Sequence, residues 1–147
     1  MTQARMFKSF GAIWLLLSLL GMLALATAAR AQDNNLVGSL HAEGPAVAGE
    51  TLTLAIHFEP VSDEWHGYWS NPGDAGLGMA LEWELPEGWQ AGEPLYPVPQ
   101  KLSISGLMNH VYKGAYAVLV PISVPADYVP TRPLPIAVKG EWLACTD

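Results

Sequence analysis

Residues 51–59 alternate without a break: Leu52, Leu54, Ile56 and Phe58 fall on one side, and Thr51, Thr53, Ala55 and His57 on the other. A two-residue period marks a strand with one face on a core and the other in water, because successive side chains of extended backbone point to opposite faces. Pro60 is expected to end it. A first edge strand is read at 36–41, strand-like content at 65–69, and an apolar-against-acidic alternation at 81–85, closed by Pro86-Glu87-Gly88. Asn71-Pro72-Gly73-Asp74 predicts a turn: Pro72 presets φ at one position, Gly73 accepts a positive φ at the next, and Asn71 and Asp74 cap it. Pro94, Pro97 and Pro99 forbid a central strand over 93–100. Residues 101–110 are expected to be a long irregular loop, and 111–124 a strong strand region broken by Gly114 and Pro121. Prolines 125, 130, 133 and 135 stiffen the next connection, and 136–143 is the last strand, delivering Cys145. No helical period and no internal repeat occur after Gln32. Short strands separated by turn residues predict one all-β domain over 32–147, an antiparallel sandwich of the immunoglobulin type.

The N-terminus follows a different rule. Arg5 and Lys8 precede an apolar run at 13–25, and Ala29-Arg30-Ala31 supplies small residues before a cut placed between Ala31 and Gln32. That is the pattern of a cleaved signal peptide over 1–31. The competing reading is an uncleaved anchor, since residues 10–29 reach the roughly 20 needed to span a bilayer. Export points to a bacterial periplasm. Cleavage removes three of the seven basic residues, Arg5, Lys8 and Arg30, and none of the fourteen acidic ones, leaving a net charge of −10. Such a surface repels nucleic acid and anionic lipid, whose binding requires clustered Lys or Arg.

The sequence holds a single cysteine, Cys145. An odd cysteine in an exported chain suggests a free reactive thiol or an intermolecular bridge, against the plainer reading of a small buried apolar residue. Glu141 and Asp147 lie close in sequence and oppose thiolate formation, which suits a thiol that reacts only in a docked complex. Tryptophans 65, 69, 83, 89 and 142 can all serve a core. Trp83 and Trp142 are assigned to it, whereas Tyr68 and Trp69, beside a Gly/Pro turn, stand between core and site. Histidines 41, 57, 66 and 110 show no zinc-ligand spacing, and no cofactor motif is found. Two further readings remain open: Trp65 and Trp69 as a platform for a sugar or peptide, and Met79, Met108 and His110 as soft and imidazole ligands for copper.

Three stretches then combine: the run from Trp65 through His66-Gly67-Tyr68-Trp69-Ser70-Asn71-Pro72-Gly73-Asp74 to Leu77, then Leu85-Pro86-Glu87-Gly88-Trp89, then Glu141-Trp142-Leu143-Ala144-Cys145. Together they resemble the N-terminal periplasmic domain of the DsbD/ScsB family of thiol:disulfide interchange proteins. The resemblance implies an immunoglobulin-like sandwich with a cysteine pair near its C-terminal end. It implies electron transfer from a membrane-embedded domain of the same full-length protein to periplasmic thioredoxin-like or disulfide-isomerase partners. By position, Cys145 matches the first cysteine of the pair, Tyr68 and Trp69 match aromatics that shield it, and 101–110 falls where a cap loop would lie. The family's second cysteine follows the first by a few residues, and the sequence ends at Asp147. The domain is therefore expected to be C-terminally incomplete and inactive alone.

Overall fold

Leu52, Leu54, Ile56 and Phe58 are all buried, as their alternation requires. The computed structural model describes residues 35–130 and 135–147. Within them lie ten strands: β1 (Leu36–Ala42), β2 (Thr51–Pro60), β3 (His66–Gly73), β4 (Ala80–Glu84), β5 (Gln90–Ala91), β6 (Gln100–Ile104), β7 (Leu107–Lys113), β8 (Tyr116–Ser123), β9 (Ala137–Glu141) and β10 (Ala144–Cys145). No helix occurs among the described residues. The export segment expected at 1–31 lies outside them.

All strand pairs are antiparallel. One sheet runs β1-β2-β8-β5, a second runs β10-β3-β7-β6, and β4 and β9 form a two-stranded ribbon. The first sheet turns Leu52, Leu54, Ile56, Phe58, Val118, Val120 and Ile122 inward, and Leu36 and Trp89 close the cluster. Each such aliphatic or aromatic side chain contributes about 1.5–3 kcal/mol on burial. An aromatic ladder joins the two sheets. Tyr112 of β7 stacks on Tyr116 at 4.2 Å between ring centroids, and Tyr116 stacks on Phe58 at 5.0 Å. The antiparallel sandwich expected from the alternation is the observed architecture.

The structure corrects the sequence reading of the strands in three places. Residues 101–110 are not a loop: they lie in a regular hairpin of β6 and β7, with pairing from Gln100↔Val111 to Ile104↔Leu107. Ser105 and Gly106 both carry positive φ, 50° and 86°, the backbone of the tight hairpin turn whose twist matches that of its strands. Pro121 does not break β8. Its carbonyl accepts from Gly92 at 2.8 Å, and β5, the neighbour on that side, is only two residues long. The last strand, finally, is two strands. β9 pairs with β4, and after Trp142-Leu143 the chain crosses to pair β10 with β3. Trp142 anchors the crossing: its ring meets Phe58 edge-on at 5.0 Å, and Nε1–H donates to the Leu36 carbonyl at 2.9 Å. Trp83 and Trp142 both pack against the core, as assigned.

Candidate thiol site

β10 is only two residues long, yet it fixes the position of Cys145. Ala144 pairs with Gly67, and Cys145 with His66. Directly opposed residues of an antiparallel pair project to the same face, as do residues two apart on one strand. Cys145, His66 and Tyr68 therefore share one face of the second sheet, and Ala144 and Gly67 share the other. The Gly67 face is the interior one: a methyl group there would approach Leu36 Cδ2 to 2.9 Å, and Ala144 packs on the core. The thiol thus stands on the outer face of the sandwich. On that face His66 and Val111 are 0 % exposed and Tyr68 is 7 % exposed, so a second layer must cover them.

The Asn71-Pro72-Gly73-Asp74 segment, at the end of β3, leads the chain into that layer. The β3–β7 register slips between Tyr68 and Gly73, an extended bulge that frees the chain to fold back. Asp74 N–H donates to the Met108 carbonyl at 2.9 Å, and Met108 N–H donates to Asp74 Oδ2 at 2.8 Å. Ala75 N–H donates to Oδ1 of the buried Asn109 at 2.9 Å. Asp74 thus clamps the segment to β7 instead of capping its own turn, as the sequence reading had it. Gly76, at φ 95°, lies directly on the Tyr68 ring: an added Cβ would come within 2.7 Å of Cζ and closer still to Cε1 and Cδ1. The cover over Tyr68 is therefore the loop after β3, where a glycine backbone can approach a ring closely.

Cys145 is half-buried and carries a free thiol. The Tyr68 hydroxyl is hydrogen-bonded with the Cys145 side chain; burial first, and that sulfur second, push the phenol up to about 12. The His66 ring stands edge-on to Tyr68 at 5.3 Å. Its Nδ1 is 3.5 Å from Asp147 Oδ1, close enough for Coulomb attraction, but neither ring nitrogen makes a hydrogen bond. Burial lowers the proton affinity of His66, Asp147 partly offsets this, and Lys113 adds to the lowering. Lys113 Nζ donates to Asp147 Oδ2 at 2.5 Å, and that bond holds the Asp147 carboxyl below its ordinary range. Asp147 also borders an open depression with Asp63, Glu64 and Thr146.

Of the residues singled out from sequence, Cys145 and Tyr68 come together. Trp69 instead packs edge-on against His110 at 5.4 Å, on the β7 side of the bulge. Trp65 is half-buried before β3, and among the described residues no ring contact joins it to Trp69. His110 Nδ1 lies 3.0 Å from the Asn71 carbonyl oxygen, and Met108 is an exposed hairpin residue. Sequence reasoning passed over His66 as one of four scattered histidines. The strand-like content at 65–69 places it on the face of Tyr68, but its pairing with Cys145 is a contact of long sequence separation that only the fold supplies.

An outward thiol on a two-residue strand, beside an aromatic hydroxyl on an immunoglobulin-like sandwich, defines a class: β domains that offer a cysteine at the sheet surface. The family comparison specifies it, matching residues 36–147 to the N-terminal domain of the thiol:disulfide interchange protein DsbD. The chain belongs to that family. Among solved structures, the N-terminal periplasmic domain of ScsB from Proteus mirabilis is similar, with a TM-score of 0.57 at 12 % identity over 82 % of this chain. At that identity the likeness is one of fold. The chain spans 44 % of that ScsB chain. A comparison with curated proteins gives no match.

Proposed function

We propose that this domain is a periplasmic thiol–disulfide exchange module in which Cys145 is the reacting residue. It relays reducing equivalents from a membrane-embedded electron-transfer domain of the full-length protein to thioredoxin-like partners. The observation that carries the reading is the register Cys145↔His66, which sets a free thiol beside the Tyr68 hydroxyl in a DsbD-family domain. The Cys145 thiolate attacks one sulfur of a partner disulfide. A new S–S bond forms, and the partner's other sulfur leaves as thiolate and takes up a proton. A second thiol, from outside residues 1–147, then attacks Cys145 Sγ. The partner leaves fully reduced and Cys145 is left in a disulfide, which the membrane domain reduces again.

Tyr68 shields the sulfur between encounters, and Trp69 acts one step away by holding the bulge against His110. Export by residues 1–31, cut after Ala31, places the module where disulfides persist. The test is partner trapping in the complete gene product. A protein whose only cysteine in this domain is Cys145 is expected to hold a thioredoxin-like partner as a mixed disulfide on a non-reducing gel. Trapping that persists in Cys145→Ser would overturn the assignment.

A further inference from the structure

Both nitrogens of the His66 imidazole are sealed from solvent without a hydrogen-bond partner. Buried polar groups are nearly always paired, so such an orphan calls for an explanation. An aliphatic residue would fill the same space without the cost of desolvating two polar nitrogens. His66 is also the direct cross-strand partner of Cys145, and such pairs hold their Cβ atoms about 4.5–5.5 Å apart on one face. The groups facing His66 are Cys145 and Asp147 from the β10 end of the chain, Tyr68 on its own strand and Lys113 across from it on β7. Lys113 is bound to Asp147 at 2.5 Å, and its ammonium opposes a charged imidazole where Asp147 favours one.

We propose that His66 accepts the Cys145 thiol proton when that sulfur attacks a disulfide, and that Asp147 stabilises the imidazolium so formed. The inference rests on the exchange reading and adds a proton route to it. Neither ring nitrogen is bonded to Sγ in this structure, so a turn of the Cys145 side chain from Tyr68 toward its cross-strand neighbour brings them together, and the proton passes from Sγ to an imidazole nitrogen as the new S–S bond forms. The imidazolium then returns it to the leaving thiolate, so no other reactant is needed. A neutral imidazole is the competent form, and burial favours it.

The test follows the reaction of the full chain with bis(2-hydroxyethyl) disulfide, a small neutral probe, by intact mass between pH 5 and 10. The thiolate and not the thiol is the nucleophile, so a neighbouring base speeds the reaction where the sulfur is protonated and adds nothing where it is already ionised. The natural chain is expected to show a rate that levels off around neutrality. His66→Gln should instead keep losing about tenfold per pH unit toward acid, run roughly tenfold slower at pH 7, and match the natural chain at pH 10. A purely structural histidine would shift the rate equally at all pH values. Asp147→Asn, at an exposed position, gives a check on sign. Loss of imidazolium stabilisation slows the reaction at pH 7, whereas mere removal of a negative charge beside a thiolate speeds it.

A His66→Gln profile parallel to that of the natural chain, or a faster Asp147→Asn, overturns the proposal and leaves the exchange reading standing. A natural chain that forms no mixed disulfide at any pH, although it reacts once unfolded, overturns both.

Discussion

Gly76 offers the sharpest handle on the cover over Tyr68, the ring whose hydroxyl stands beside Cys145, because its substitution is felt by that ring first. An alanine there would place Cβ 2.7 Å from Tyr68 Cζ and nearer still to two other ring carbons, at a backbone φ of 95°. The left-handed backbone costs about 1–2 kcal/mol for a residue with a Cβ. Overpacking against the buried ring adds about 1–3 kcal/mol. The loop can escape both by lifting from Tyr68 between the bonds of Asp74 and Ala75 to β7 on one side and the packing of Met79 on the core on the other. If about 2 kcal/mol of the strain is relieved by lifting, the open population rises about 30-fold. Gly76→Ala is therefore expected to raise the rate of Cys145 alkylation by iodoacetamide about 30-fold under native conditions. Gly106→Ala is the control: it has a similar φ of 86° at the hairpin tip, with nothing within 4 Å. It should lower the melting temperature without changing alkylation. Equal alkylation rates in Gly76→Ala and the natural chain, despite a loss of stability, would refute the assignment of this loop as the cover.

Two further outcomes follow from the same geometry. Burial holds the proton affinity of His66 below that of the unfolded chain, so below about pH 6.5 the unfolded state takes up a proton that the native state refuses. Stability is then lost as pH falls from about 6.5 toward the lower folded value, by at most about 1.4 kcal/mol per pH unit. Urea titrations at pH 7.5 and 5.5 should show this loss in the natural chain and not in His66→Gln. Trp142→Ala removes the Phe58 contact and the bond to the Leu36 carbonyl where the chain crosses between sheets; because the side chain is only partly buried, it should cost about 2–4 kcal/mol in denaturant unfolding. An effect below 1 kcal/mol would mean that the crossing is anchored elsewhere.

The parts of this domain that the sequence reveals are those governed by local pattern. The 51–59 alternation yields β2 and its inward face, because a period of two leaves no other side for Leu52 to Phe58. The 101–110 hairpin was misread because its alternation is weak in apolar content and its turn signal is Ser105-Gly106, a dipeptide that marks turns but not what flanks them. The site is less legible still. Tyr68 was reached through a resemblance, and the sheet change between β9 and β10 is set by Trp142 finding Leu36, a hydrogen bond across 106 residues. No periodicity encodes such a partner, and without that crossing His66 never meets Cys145. The role of Asp74 was missed for the same reason, since its partner Met108 lies 34 residues away.

The central claim is that the Cys145 sulfur exchanges with a partner disulfide from its outward position on β10. The direct measurement incubates the native chain with a thioredoxin-like protein that keeps one active-site cysteine, activated as its mixed disulfide with 2-nitro-5-thiobenzoate so that the released thiol cannot re-close the bond; acid quenches the reaction and the products are weighed without reductant. The account predicts a one-to-one adduct linked through Cys145, reversed by dithiothreitol and absent in Cys145→Ser. No adduct from the folded chain, with Cys145 reacting fully only after unfolding in guanidinium, would contradict it.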